Sequence, residues 1–206
     1  EEASRRGIEP QALADRMADR FREAWEGLDI GFDRFIRTTD ADHVVGVQHL
    51  FRKVLEKGDI YPGDYRGHYC VSCEGYVPES ADDAETGNKI CPDCGKETEL
   101  LTERCYFFRL SAYSERLLHF YEENPDFIRP ASRMNEVKSF VKMGLKDLSI
   151  TRSTVKWGVP VPDDPEQTIY VWFDALSNYI TALGYPEVTT DFARFWPADL
   201  HVMAKD

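Results

Sequence analysis

Residues 169–186 read IYVWFDALSNYITALGYP. The run Ile169–Phe173 is apolar and β-prone, which predicts a buried strand. A helix from about Asp174 to Leu183 should follow, with Gly184 as its stop. Leu200–Met203 is the next candidate strand. Strand, helix and strand at this spacing predict a parallel sheet in an α/β fold.

Working outward from that stretch, WGVPVP at 157–162 is too rich in proline for a central strand. Ser111 can cap a helix reaching Glu123, where Asn124-Pro125 stops it. A further helix is expected over about 134–143, with Val137, Phe140 and Val141 inward and Gly144 at its end. Nearer the start, Leu13, Met17, Phe21, Trp25 and Leu28 recur at helical spacing over 10–28 and predict one core-facing stripe. Thr39, with Asp42 three residues on, is the candidate N-cap of a helix over 40–57. Its apolar face is read as Leu50, Phe51, Val54 and Leu55, and its stop as Gly58. Between these helices, residues 61–105 are dominated by Gly, Pro, Tyr and Cys, with a polar loop at Ser80–Asn88. They read as a small irregular module of hairpins and turns.

Composition narrows the function classes. The 206 residues are 42% hydrophobic and 30% charged, an ordinary globular balance that excludes a disordered chain. No apolar run approaches the roughly 20 residues of a membrane helix. The longest candidate, IYVWFDAL, already holds an aspartate, so no membrane partner is expected. The chain opens on Glu1 without a charged-then-apolar leader, which suggests a processed chain or a piece of a longer one. The net charge is −12, from 25 basic and 37 acidic residues. Residues 61–105 carry 4 basic against 10 acidic side chains. Nucleic-acid binding driven by broad phosphate neutralisation calls for the opposite sign.

Four of the five cysteines form two C-x-x-C pairs, Cys70/Cys73 and Cys91/Cys94, separated by 17 residues. Two intervening residues let both sulfurs face one point, and this spacing fits a closed four-thiolate zinc site. Gly75 and Gly95 follow the pairs where a tight turn favours a residue tolerant of positive φ. Such a site is structural, because no coordination position stays open. Two disulfides, four buried thiols or an iron–sulfur centre remain open on spacing alone. His68 could replace a cysteine, but four thiolates suffice without it. Cys105 reads as a small buried thiol.

Trp172, Ala175 and Tyr179 stand at i, i+3 and i+7. A stripe of this kind is more often core than a site. The functional alternative is an apolar pocket at the carboxyl end of a strand, where open α/β sheets place ligands. Arg152 could anchor a carboxylate, although on the residues alone it reads as a surface arginine. Lys205 and Asp206, directly after the last candidate strand, are a further place where chemistry could lie.

Together these stretches resemble the methionyl-tRNA synthetases, which are class I aminoacyl-tRNA synthetases. The resemblance runs through FDRFIRTT (32–39), GDIYPGDYRGHYCVSC (58–73), YFFRLSAY (106–113), NPDFIRP (124–130) and NEVKSF (135–140). It is densest in DLSITRSTVKWGVPVP (147–162) and residues 169–186, and it closes on FWPADLHVMAKD (195–206). The resemblance implies an incomplete Rossmann-type parallel sheet interrupted by an inserted connective-peptide domain that carries a zinc knuckle. On that basis residues 1–60 open the catalytic domain, 61–148 are the insertion with its knuckle at 70–94, and 149–206 return to the catalytic domain.

The implied reaction attaches methionine to its tRNA through methionyl-adenylate, with ATP and Mg as co-substrate, in the cytoplasm. The family's methionine pocket maps onto Trp172, Ala175 and Tyr179, with Asp174 as scaffolding and Arg152 near the substrate. Its ATP-ribose residues map onto Lys205 and Asp206, and its zinc ligands onto Cys70, Cys73, Cys91 and Cys94. The family's His-Ile-Gly-His and T-D-E-H-G segments would precede Glu1. Its K-M-S-K-S loop and helical anticodon-binding domain would follow Asp206. The fragment alone is therefore expected to be inactive, with no catalytic residue of its own and with tRNA contacts made mainly elsewhere. Ala204 stands where the family has glycine, placing a methyl group near the expected nucleotide. The competing reading is a non-catalytic zinc-stapled domain that docks protein or tRNA.

The acidic balance of residues 61–105 carries a direct consequence. A peptide of those residues loaded with zinc should show no tight, salt-sensitive binding to RNA by fluorescence anisotropy.

Overall fold

The structure, a computed structural model, describes residues 2–73, 75–77 and 89–203. The polar loop at Ser80–Asn88 and the residues Ala204, Lys205 and Asp206 lie outside the described residues. In chain order the helices and strands are α1 (Glu2–Arg6), α2 (Pro10–Gly27), α3 (Ala41–Glu56), β1 (Ile60–Cys70), β2 (Gly75–Tyr76), β3 (Glu99–Phe108), α4 (Ser114–Glu123) and α5 (Ala131–Lys142). They continue with β4 (Leu148–Ser149), β5 (Thr151–Arg152), β6 (Pro160–Val161), β7 (Asp164–Ile169), α6 (Val171–Leu176), α7 (Asn178–Thr181) and α8 (Thr190–Phe195). The mixture is α/β. It divides into two compact units, residues 1–52 with 155–206, and residues 53–154. These divisions differ from the 60/61 and 148/149 boundaries read from the sequence. Within the second unit, Asp59 N–H donates to Val54 O and Arg109 N–H to Asp59 O.

The first unit is built on α3. His43, Val47 and Phe51 have no exposed surface, and they recur at i, i+4 and i+8 along one helical face. This face is rotated from the one expected: Leu50 and Val54 are half-buried and Leu55 is exposed. The first helical bond runs from Val44 N–H to Asp40 O, one residue later than a Thr39 cap would set it. Gly58 closes the helix at φ +83. Gly46 faces α7, where an added Cβ would stand against the Thr181 methyl and 2.8 Å from Tyr185 O. Only glycine permits that approach. Phe51 packs edge-on against Phe173, with ring centroids 5.9 Å apart. α2 forms as expected, but its stripe is largely exposed at Met17, Phe21 and Leu28, and Ala18 is its one buried residue.

Further sequence expectations fail in the first unit. The expected strand Ile169–Phe173 is instead the end of β7 followed by α6, with Tyr170 as an extended N-cap. Asp174, Ser177 and Thr181 are buried, a spacing of three and four that fits the helix expected from Asp174 onward, which is divided into α6 and α7. Leu200–Met203 forms no strand, and Leu200, Val202 and Met203 are exposed. The expected parallel sheet is likewise not found in the pairings within either unit, which are antiparallel. β6 and β7 are a hairpin turned by Pro162-Asp163, with Asp163 at φ 66. A two-residue connection can only return the chain antiparallel, because a parallel return needs a crossover of a dozen residues or more.

The second unit is more regular than expected. β1 and β3 form one long antiparallel ladder from Ile60↔Phe108 to Tyr69↔Glu99, flanked by β2 on one edge and β4 on the other. Beyond it α4 and α5 form a helical hairpin around Tyr121, Met134 and Val141. α4 starts at Ser114 after a 3-10 turn over Leu110–Tyr113, later than the Ser111 cap predicts. Ser111 instead donates from its N–H and hydroxyl to Asp147. In α5, Val141 is buried, Val137 is half-buried and Phe140 is 60% exposed.

The Gly46 contact is testable. Gly46→Ala should destabilise the chain by about 1–3 kcal/mol through overpacking, measured by urea unfolding.

Candidate functional site

The β1–β3 ladder brings the two C-x-x-C turns together. Cys70 ends β1 and pairs with Gly75 of β2, placing Cys73 in the connecting turn. Across the ribbon, Cys91 N–H donates to Lys96 O and Gly95 N–H to Cys91 O. Gly95 takes the expected positive φ, +69. The sulfurs of Cys70, Cys73, Cys91 and Cys94 all lie within 4.8 Å of one another. Cys70 Sγ is 3.4 Å from Cys94 Sγ, and Cys73 Sγ is 3.7 Å from Cys91 Sγ. Bonded sulfurs would stand about 2.05 Å apart, so no disulfide joins them. A tetrahedron with Zn–S bonds of about 2.3 Å has edges of about 3.8 Å, and the four sulfurs are close to that size. The cluster can therefore hold a metal ion. His68 is not part of it; its Nδ1 lies 3.2 Å from Thr98 Oγ1.

Two members of the cluster, Cys70 and Cys91, are 1% exposed, and Cys73 and Cys94 are exposed. The Cys70 thiol is lowered to about 7, first by the backbone N–H of Cys73. That of Cys73 is raised, chiefly by the thiol of Cys94 and its other sulfur neighbours. Four thiols this close cannot all carry charge unaided, and a bound dication removes that conflict by stabilising every thiolate at once. Cys105 is separate and 1% exposed. It receives the Ser149 hydroxyl at 3.2 Å, and burial pushes its thiol up.

In the first unit, α6 and α7 carry the aromatic residues singled out from the sequence. Trp172 and Ala175 lie three apart on α6, and Tyr179 lies on α7. Trp172 is 64% exposed, so the core-stripe alternative does not hold for it. Tyr179 is half-buried against His201, with ring centroids 4.6 Å apart, and His201 in turn meets Trp196 at 5.9 Å. Asp174 is 8% exposed, and its Oδ1 lies 2.7 Å from His43 Nε2. The other ring nitrogen, Nδ1, lies 2.7 Å from Thr181 Oγ1. The sequence reading missed His43. The available signal was its place four residues before Val47 and eight before Phe51, which puts a polar ring on a buried face.

Arg152 lies in the second unit and is 7% exposed, so the surface reading is corrected. Its Nη1 donates to Ser149 Oγ at 2.7 Å and Thr151 O at 2.6 Å. A buried guanidinium is retained only with partners of this kind. Lys205 and Asp206 fall outside the described residues. No helix among the described residues is long and apolar enough to cross a membrane.

The family model described as tRNA synthetases class I (M) matches residues 1–101 and 82–206. The chain is 50% identical over 205 residues to the methionine–tRNA ligase of Caldanaerobacter subterraneus subsp. tengcongensis, covering 99% of this chain and 32% of that protein. It is 50% identical to the methionine–tRNA ligase of Streptomyces coelicolor, covering 99% of this chain and 39% of that one. The solved structure of Mycobacterium tuberculosis methionyl-tRNA synthetase in complex with methionyl-adenylate matches with a TM-score of 0.86 and 48% identity. That match covers 97% of this chain and 39% of the other. The chain thus spans about a third of the length of the curated relatives it matches.

The thiol geometry predicts a chemical difference between the cysteines. With metal bound, no cysteine should react quickly with a thiol reagent. After chelation the two turns that the metal holds together should open, so that their four thiols react and the thermal midpoint falls. Cys105 should stay unreactive in the folded chain, and a fifth fast thiol would contradict its burial.

Proposed function

The chain belongs to the class I (M) tRNA synthetases, and from that premise we propose that it is the central segment of a ligase that joins methionine to its tRNA. The observation that carries this reading is the close likeness of almost the whole chain to a synthetase holding methionyl-adenylate. In the proposed reaction a methionine carboxylate oxygen bonds to the α-phosphorus of ATP. The bond between that phosphorus and the bridging oxygen breaks, and pyrophosphate leaves with the electron pair. The terminal hydroxyl of the tRNA then displaces AMP from the acyl carbon. The substrate supplies its own nucleophile, so the protein's part is positioning and charge stabilisation.

The residues of this chain take roles that suit their chemistry. Trp172 and Tyr179 are proposed as walls for the thioether, which is apolar and polarizable and favours aromatic neighbours. Ala175, small and between them in sequence, leaves room for the side chain. Arg152 is assigned from its motif as a substrate-binding charge. Lys205 and Asp206 are assigned from theirs to the ATP ribose, with Mg accompanying the phosphates. Cys70, Cys73, Cys91 and Cys94 are proposed to hold zinc, whose binding would add folding free energy to the ribbon. The cluster lends no chemistry to the reaction, since four thiolates leave no open position. In this reading the second unit corresponds to a connective-peptide domain inserted into a Rossmann-type catalytic domain. The compartment proposed is the cytoplasm. Neither a His-Ile-Gly-His nor a K-M-S-K-S segment occurs in these 206 residues, so the activity is assigned to the full-length protein.

Trp172→Ala in that protein should weaken methionine binding by roughly 2–4 kcal/mol, read as the methionine KM in ATP–pyrophosphate exchange. An unchanged KM for methionine rejects the pocket.

A further inference from the structure

α6 has six residues and no side-chain cap on its first turn. A helix this short does not hold itself together in water. Its position must come from what it packs against. Two of its residues turn inward. Phe173 meets Phe51 of α3 edge-on, and Asp174 reaches the ring of His43, also of α3. Trp172, between Val171 and Phe173, is 64% exposed, so its own contacts do not set its direction.

His43 is the centre of a fully buried polar chain. Its ring is 0% exposed, Thr181 is 1% exposed and Asp174 8%. A carboxylate can only accept, so Nε2 carries the hydrogen and donates to Asp174 Oδ1. In the neutral ring Nδ1 then accepts from the Thr181 hydroxyl. Each polar atom of the imidazole is answered, as burial requires. The order hydroxyl, imidazole, carboxylate is that of an acyl-transfer triad, but it has no such use here. The Thr181 hydroxyl is sealed from solvent, so no substrate carbonyl can reach it. What the chain does is fix geometry: one ring ties α3 to both α6 and α7.

We propose that His43 is a positioning residue for the amino-acid platform, holding Asp174 and thereby α6 so that Trp172 and Ala175 meet the substrate side chain. The proposal rests on the methionine-pocket reading of α6. Sub-ångström placement of such a surface matters, because misplacement of a binding group by 1 Å can cost 100-fold. His43 touches neither substrate nor nucleotide in this role, so its loss should separate methionine from ATP in the kinetics.

The test uses the full-length enzyme and two substitutions that divide the ring's bonds. Glutamine can place an amide N–H where Nε2–H lies, keeping the bond to Asp174. Asparagine reaches only the Nδ1 position. His43→Asn should raise the methionine KM at least tenfold in ATP–pyrophosphate exchange, with the ATP KM within twofold. His43→Gln should keep the methionine KM within threefold of the parent. Should His43→Asn not accumulate as folded protein, Asp174→Ala is to show the same split. Equal rises in both KM values, or no rise in the methionine KM, would overturn the proposal. Trp172→Ala, assayed in parallel, separates the two readings. If it leaves the methionine KM unchanged, the pocket itself is wrong. If it raises that KM and His43→Asn does not, the pocket stands and the positioning role falls.

Discussion

Asp174 is a carboxylate with 8% of its surface exposed, and a charge so placed is costly unless it is hydrogen-bonded. His43 supplies that bond, and the requirement organises the first unit around it. The imidazole must itself be buried to reach Asp174, so its second nitrogen needs a partner, which Thr181 provides. Thr181 can stand there only because Gly46, one turn along α3, carries no side chain to meet its methyl group. Four residues on two segments far apart in the chain thus depend on one another. Phe51 and Phe173 add the apolar contact beside them. Trp172 of the proposed methionine platform is turned outward from this arrangement, at 64% exposure, while Ala175 and Tyr179 are half-buried.

The second unit solves a different problem. Its ribbon is long, two-stranded and mostly half-exposed, and two strands alone are marginal in water. The helical hairpin that follows has its own core around Tyr121, Met134 and Val141. At the cysteine end of the ribbon the buried apolar cluster among the described residues is Cys70, Val77 and Cys91, and a metal held by the four sulfurs would do there what a hydrophobic core does elsewhere. The acidity of this segment is consistent with a brace and does not suit a phosphate-binding surface.

Much of this was readable in residue order. The helices over 10–28, 40–57 and 111–123 were visible because their apolar residues recur with a period near 3.6. The stops at Gly58, Gly144 and Gly184 were visible because a chain leaving a helix at positive φ favours glycine. The four cysteines were visible as a metal set because the spacing of two residues within each pair is itself a local geometric device. Other features were misread for reasons that are not local. Ile169–Phe173 looks like a strand by β propensity, but the chain turns into α6 at Val171, where Phe173 packs on Phe51 and Asp174 reaches His43. Arg152 looked solvated because an arginine usually is, and its burial beside Ser149 Oγ and Thr151 O is a property of the folded chain.

The sequence by itself determined the family, through ordered motifs along almost the whole chain, and the thiol set, through residue types at short fixed spacing; the candidate platform came only from the family resemblance. Tertiary structure alone decided which face of α3 is buried, that His43 and Asp174 share a hydrogen bond across 131 residues of chain, and that Trp172 is turned to solvent. These depend on desolvation, which is a property of what surrounds a side chain. No period or motif records the neighbours that a residue will meet after the chain has folded.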